Sequence, residues 1–439
     1  MESQKKELTS RLRTAKREPM QLQLKTVLNV VHPLKSFVYT DVRLVPGRGE
    51  TPRIEASIMP RTNSRGRCRT CEQPGPTHDH QPERRFDFVP LWGLLVFLIY
   101  APRRIDCRQC GIHVEAMPWS TGNSPMTTVY MSFLATWARR LSWTETARSF
   151  GASWDSVRRA VGWVVEYGLE HRDLLNVRGI GVDEVQYRKG HKYLTLVYQI
   201  DAGCRRLIWM TESRTEAAFD GFFTWFGEFR SLLLTVVCSD MWKPYLNVIR
   251  RRAPLALNVL DKFHIVAHLN KAVDETRRQD AATLRREGDD VTLKHTRWCL
   301  LKRPGNLTTK QTGRLRDLLR LNLRTARAYI LKEDFNHFWS YVSVTWAGKF
   351  IDRWCEMARR SAIAPMKAKA KMLQSHRDLI LNYFRAKKEY SSSVVEGLNN
   401  KVKLVTRKAF GFREYDTIRI ALFHALGRLP EPQHAHTFA

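Results

Sequence analysis

Between Val177 and Leu269 the chain reads as short strands interrupted by single helices, an order that leaves few ways to fold. "VRGIGVDEVQY", "HKYLTLVYQID" and "CRRLIWM" carry strand-like runs. An aromatic-rich helix follows over Thr215 to Phe229, and then come "LTVVCSD", a second helix and "LALNVLDKFHIVAHL". Apolar runs of about four to eight residues between polar breaks are buried strands, and strands alternating with helices build one sheet with helices on its faces. Two of the runs stop on a carboxylate, Asp183 in "GIGVDE" and Asp240 in "VVCSD". For Asp240 two explanations compete. Ser239 or Asp240 can cap the following helix by accepting a hydrogen bond from a free N–H group. Alternatively, Asp240 is a metal ligand at the carboxyl end of a central strand, where open α/β sheets place their chemistry.

Three strands, helix, strand, helix, strand is the order of a ribonuclease-H-like core, which the helix in "SSSVVEGLNNKVKLVTRK" would close. In such a core the first and fourth strands are central neighbours, so Asp183 and Asp240 would lie a few ångströms apart. Two carboxylates so placed repel and push one pKa up unless a cation lies between them. The closing helix has an inward stripe of Val395, Leu398, Val402 and Val405, flanked by Glu396, Asn400, Lys403 and Arg407. Glu396 either bonds back to Ser393 in a capping box or stands as a third acid. Three acids, on two adjacent strands and a helix over them, suit a pair of divalent ions about 3.5–4 Å apart. Glu184 should point to the other face of its strand. Ala281 to Tyr390 is helical, basic and rich in tryptophan (Trp298, Trp339, Trp346, Trp354), and reads as an insertion.

Upstream, two CxxC pairs, Cys68/Cys71 and Cys107/Cys110, read in a reducing compartment as ligands of one structural Zn²⁺. His78, His80 and His113 are near in sequence, but four cysteines need none of them. The strand-rich stretch between the pairs fits a zinc ribbon longer than the minimal one. From Met126 the period turns helical through Val129, Tyr130, Phe133, Leu134 and Trp137. A short helix, Trp143 to Phe150, meets Gly151, and a third helix opens at Ser153 with Val157, Val161, Val164 and Val165 inward. This is a helix-turn-helix pattern, although a plain three-helix packing unit has the same periodicity. Its third helix presents Asp155, Ser156, Arg158 and Arg159 where a recognition helix meets base edges. Lys and Arg outnumber Asp and Glu 73 to 43, a net charge of +30. Such a surplus attracts polyanions and makes nucleic acid the first partner to expect. Met1 to Arg17 lacks the apolar core of a secretory leader, and Leu91 to Ala101 falls short of the roughly 20 residues a membrane span needs. An intracellular chain with no membrane partner is expected.

The cysteine pairs, "FLATWARRLSWTETARSFGASWDSV", "GVDEVQYRKGHKYLTLVYQID", "VCSDMWKPYL", "LDKFHIVAHLNKAVDETRR", "RWCLLKRPGNLT" and "VEGLNNKVKLVTRKAFGFREYD" together resemble the DDE transposases of bacterial insertion sequences, ISL3 group. The likeness runs over nearly the whole chain. It implies that Asp183, Asp240 and Glu396 are the catalytic acids, holding two Mg²⁺ (or Mn²⁺). "DKFH" resembles an Asp-x-x-His signature, with Asp261 and His264, that would set His264 near the scissile phosphate; the plain alternative is a helix cap beside a half-buried histidine. Trp298 would stack a flipped base or else pack in a core. Lys401, Lys403 and Arg407 would contact phosphates or form only a solvated face. The implied partners are double-stranded DNA, as terminal inverted repeats and target, and a second copy of the chain in a homodimer or larger assembly. The implied location is the bacterial cytoplasm, at the nucleoid.

The fold expected is a multidomain α/β chain whose ribonuclease-H-like mixed sheet carries a helical insertion and follows a zinc ribbon and a helix-turn-helix domain. The expected divisions are an N-terminal segment (1–60), zinc ribbon (61–122), helix-turn-helix (123–175), first part of the catalytic core (176–280), insertion (281–390), and closing helix with tail (391–439). Two other functions fit parts of this pattern. A repressor or domesticated transposase would bind DNA without catalysis, and a ribonuclease-H-like nuclease would cut without strand transfer.

Overall fold

A computed structural model of the protein describes residues 23–46, 51–188, 190–289, 291–388, 393–409 and 411–432. The chain divides into two compact units, residues 1–171 with 429–439, and residues 172–428. Among the described residues no helix is long and apolar enough to cross a membrane.

The first unit opens with α1 (Leu24–Val31), β1 (Phe37–Val45) and β2 (Arg53–Pro60), and continues through the short strands β3 (Gly66–Arg67), β4 (Pro74–Gly75) and β5 (Thr77–His80). The hairpin β6 (Arg84–Leu91) and β7 (Leu94–Tyr100) comes next, and then β8 (Arg103–Cys107) and β9 (Gly111–Val114). β6 and β7, which lie between the cysteine pairs, join the N-terminal strands in one sheet of order β1-β2-β7-β6. The division expected at residue 60 therefore passes between strands of a single sheet. The reason is apolar: Phe37, Tyr39, Ile54, Ala56, Phe86 and Leu98 share a core with Trp119, whose indole meets Phe37 and Tyr100 edge-on at 4.9 and 5.3 Å. Neither hairpin could bury that much surface alone.

The same unit ends in α2 (Thr128–Ala138), α3 (Trp143–Ser149) and α4 (Trp154–His171). The Thr127 side chain caps α2, and a Ser142/Glu145 capping box starts α3. Gly151 makes the turn at φ +63°, in the left-handed region that glycine enters without strain. α4 buries Val157, Val161, Val164 and Val165 against the other two helices.

The second unit is built on β10 (Gly179–Arg188), β11 (Lys192–Asp201), β12 (Cys204–Thr211), α5 (Glu216–Phe226), α6 (Glu228–Leu232), β13 (Val236–Ser239), α7 (Lys243–Arg252), β14 (Leu257–Leu260) and α8 (Lys262–Arg286). The order is that read from the sequence except that the single helix expected over Thr215 to Phe229 breaks at Gly227 into α5 and α6. The sheet order is β12-β11-β10-β13-β14, with β10, β11 and β12 antiparallel and β10, β13 and β14 parallel. One face is sealed by α5 and α7 through Phe219, Phe222, Phe223, Phe226, Tyr245 and Val248.

Helices α9 (Arg297–Leu301), α10 (Thr309–Arg320), α11 (Arg324–Asn336), α12 (Val344–Arg360), α13 (Ala364–Ser375) and α14 (Arg377–Arg385) follow without a strand. They do not hang from the sheet. Phe335, Phe350, Trp354 and Phe384 pack with Leu260 of β14 and with Ile265 and Leu269 of α8 in one core. The insertion boundary expected at residue 281 thus falls inside α8. Finally α15 (Ser393–Lys408) and α16 (Tyr415–Leu426) return to the sheet.

α15 is seated on β10 at Gly181, where an added Cβ would stand 2.3 Å from Cγ2 of Val395. Gly181→Ala is therefore expected to lower unfolding stability by about 1–3 kcal/mol through overpacking. Adding Val395→Ala should recover part of that loss in urea denaturation. Simple additivity of the two substitutions would contradict the contact.

Candidate active site and metal centres

Strand register brings three acids into line. β10 pairs with β13 at Gly181↔Cys238, and β13 pairs with β14 at Cys238↔Val259 and Ser239↔Leu260. Continued past the strand ends, the same register sets Asp183 beside Asp240 and Asp240 beside Asp261. Registered residues of parallel strands share a face, at about 4.8 Å per strand. A cleft lined by Asp183, Asp240, Asp261, His264, Cys238 and Val395 opens there. Asp261, which the sequence offered only as half of a signature, is a full member of the row.

The carboxylates are not idle. Asp183 Oδ1 accepts the Glu184 N–H at 2.7 Å, and its Oδ2 accepts the Asn399 side-chain amide at 2.6 Å. Burial pushes the Asp183 carboxyl up, and the nearby Asp261 and Asp240 push the same way, while the Glu184 N–H and His264 pull it down. Asp240 Oδ1 accepts the Trp242 N–H at 3.0 Å, a bond in the turn ahead of α7, whose N-cap residue is Trp242 and whose start carries no side-chain cap. Neither Ser239 nor Asp240 caps that helix; the Ser239 hydroxyl shares its one proton between the Asp240 carbonyl and Asn258 Oδ1. Asp261 caps α8 through Phe263 N–H at 2.7 Å and holds His264 Nδ1 at 2.9 Å. That bond raises the imidazole to about 9 in spite of its partial burial, with Asp183 and Asp240 adding to the effect. His264 is thus a cation facing the acids.

Glu396 lies in the first turn of α15 and is exposed. Its neighbour Val395, not Glu396 itself, lines the cleft. The position before Ser393, where a helix cap would sit, lies outside the described residues. Lys401, Lys403 and Arg407 are exposed on α15. Trp298 is 55% exposed with the Arg297 guanidinium over its ring, whereas Trp339 and Trp354 are core residues. On α4, Arg159 is exposed and Arg158 half-buried, and the Ser156 N–H and hydroxyl are engaged with Ser153 at the helix start. Glu184 lies on the opposite face against Tyr245, and burial raises its carboxyl.

In the first unit the Sγ atoms of Cys68, Cys71, Cys107 and Cys110 all lie within 4.8 Å of one another; among the described residues no other set of three or more His, Cys, Asp or Glu ligands is that close. A tetrahedral Zn²⁺ with Zn–S near 2.3 Å sets its sulfurs about 3.8 Å apart, so the four thiols fit the ion. Backbone N–H groups of Cys71 and Thr70 lower the Cys68 thiol to about 6, and crowding by Cys71 pushes Cys110 up to about 12. His113 turns instead to the Cys110 carbonyl.

A row of acids on a mixed sheet, in a strongly basic chain, narrows the class, and comparison with known proteins defines it. Residues 180–422 match the family described as Transposase, the DDE type of the ISL3 group. The likeness is not confined to that span. The transposase for insertion sequence element IS1557 of Mycobacterium tuberculosis is 30% identical over 410 residues, covering 87% of this chain and 90% of that protein. The transposase for insertion sequence element IS1001 of Bordetella parapertussis is 28% identical over 336 residues, covering 76% and 82%. The chain belongs to the ISL3 group of DDE transposases.

Two measurements follow from the geometry. Elemental analysis of purified, dialysed protein should find about one zinc per chain, lost in Cys71→Ser, and a folded wild-type protein free of zinc would refute the assignment. In buffer without divalent ions, the Asp261–His264 pair should stabilise the fold fully below pH about 6.5, the ordinary histidine value. That contribution should fade as pH rises through about 9, where the folded imidazole deprotonates. The stability gap between wild type and His264→Ala should therefore narrow from pH 6 to pH 10; a constant gap would show that the charge is not involved.

Proposed function

We propose that the protein moves an insertion sequence by binding its terminal inverted repeats, cutting at the element ends and joining the freed 3′-OH to target DNA. The observation that carries this reading is the in-register row of aspartates at the carboxyl edge of the sheet. The strand order β12-β11-β10-β13-β14, with α15 over β10, agrees with a ribonuclease-H-like core. Asp183, Asp240 and Glu396 would hold the divalent ions; the donors are all hard oxygens, which suit Mg²⁺ or Mn²⁺. Two ions held there would activate the attacking oxygen and stabilise the leaving one.

The remaining roles belong to the protein's own groups. Glu396 stands on the first turn of α15, a helix that Val395 and Asn399 tie to the Asp183 strand. A glutamate has one methylene more reach than an aspartate, which would help Glu396, exposed in this structure, turn to the cleft when ions bind. The His264 imidazolium, held by Asp261, offers its other N–H to a non-bridging phosphate oxygen beside the acids. In the first step water adds to the phosphorus and the 3′-oxygen leaves as a hydroxyl. In the second that hydroxyl adds to a target phosphorus and displaces a target 3′-oxygen. Bond for bond the exchange balances, so no covalent protein intermediate is needed.

Trp298, exposed beside Arg297, is suited to stack a base displaced at the element end. Lys401, Lys403 and Arg407 would meet phosphates next to the cleft. Ser156, Arg158 and Arg159 at the start of α4 would read the repeats, on a unit stapled by one Zn²⁺. Both element ends must be held at once, so a homodimer or larger assembly on DNA is the working form. Asp240→Ala should abolish Mg²⁺-dependent cleavage of DNA carrying an element end, while gel-shift affinity for the same DNA in Ca²⁺ stays within about twofold. Residual cleavage at the wild-type rate would refute the reading.

A further inference from the structure

We infer that Asn399 is a positioning residue for the Asp183 carboxylate, and that Tyr198 holds the Asn399 amide the right way round. The inference rests on the reading of Asp183 as an ion-holding acid. Asn399 is 6% exposed and Tyr198 wholly buried. Tyr198 lies on β11 directly opposite Gly181 of β10, beneath the helix that carries Asn399. Its hydroxyl donates to Asn399 Oδ1 at 2.7 Å, and Asn399 Nδ2 donates to Asp183 Oδ2 at 2.6 Å.

An amide has one donating and one accepting end, and contacts on both ends decide which way it faces. Turned over, Asn399 would set its oxygen against a carboxylate oxygen, two acceptors with no proton between them. The Tyr198 hydroxyl removes the incentive to turn, because it supplies a donor to the oxygen where it already stands. On the acid, the Glu184 N–H occupies one lone pair of Oδ1 and the Asn399 amide one lone pair of Oδ2. Each oxygen keeps a second lone pair for an ion, and the plane of the carboxylate is fixed by donors on both sides.

The same amide joins two parts of the site far apart in sequence. Asn399 follows Glu396 by three residues on α15, and neighbours at that spacing share a helix face. The bond to Asp183 therefore also sets the height and rotation of the helix that carries the third acid. A leucine at position 399 would fill the space and leave both Tyr198 and Asp183 short of a partner.

The test uses the full-length protein and Mn²⁺ alone, with binding measured by isothermal titration calorimetry well below each variant's melting temperature. Groups that orient metal ligands typically change affinity by about 10–100-fold when removed. Asn399→Ala is expected to weaken Mn²⁺ binding about tenfold or more. Tyr198→Phe, which leaves the ring in place, should weaken it several-fold. Thr325→Val removes a buried polar contact to Asp280 among the insertion helices and should lower the melting temperature without changing Mn²⁺ affinity. Should Asn399→Ala not fold, Tyr198→Phe decides the matter. Wild-type affinity in both variants, alongside loss of binding in Asp183→Asn, would overturn the positioning role and leave the metal-site reading intact. Wild-type affinity in Asp183→Asn would overturn that reading itself, and the role of Asn399 with it.

Discussion

A carboxylate withdrawn from water midway along the central strand β10 is the constraint around which the second unit is arranged. An unpaired buried charge is costly enough that it usually takes up a proton instead, and burial does push Asp183 in that direction. The surroundings oppose it with an N–H of its own strand, an amide from a helix 216 residues away and an imidazolium from α8. Each donor comes from a different element, so this opposition to burial exists only when sheet, closing helix and α8 are all in place.

Register explains why one polar row forms instead of scattered acids. β13 lies parallel to both neighbours, and a parallel ladder carries the same face across the sheet. Once Gly181 is matched to Cys238 and Cys238 to Val259, three aspartates follow without further instruction. One of them also begins a helix, since Asp261 accepts the Phe263 N–H at the start of α8, while Asp240 accepts the Trp242 N–H in the turn before α7. One Asp240 oxygen holds that turn, and the residue lines the cleft.

Much of this was legible in the sequence, and the parts that were not have a common cause. The five strands, the three helices before them, the four cysteines and the positions of Asp183 and Asp240 follow from local period and spacing, while His264 was singled out only by the family resemblance of "DKFH". Those signals need only a few neighbouring residues. The pairing of β7 with β2 was not legible, because nothing in "LLVFLIY" says which strand it will meet. Nor was the role of Gly181, whose lack of a side chain matters only because Val395 lies on it. Asn399 had only its position beside Asn400 to recommend it. Its importance comes from Tyr198 and Asp183, and Tyr198 looked like one more apolar residue of "YLTLVYQID". Nor did the sequence show that the Ser239 hydroxyl would meet Asn258, a partner on the next strand.

The helical insertion has a structural consequence for the site that its sequence position alone would not suggest. It separates Asp261 from Glu396 by more than a hundred residues, a span that as a flexible loop would leave the closing helix loosely held. It is instead a packed body whose core includes Leu260, Ile265 and Leu269, the residues around the Asp261 end of the row. Its last helix, α14, comes back to the sheet and donates Asn382 Nδ2 to the Asn258 carbonyl at 2.8 Å. Asn258 in turn accepts from Ser239, the residue before Asp240. A chain of buried hydrogen bonds thus runs from the insertion through β14 to the strand end that carries the second acid. A displacement of the insertion therefore reaches the Asp240 end of β13 through packed contacts.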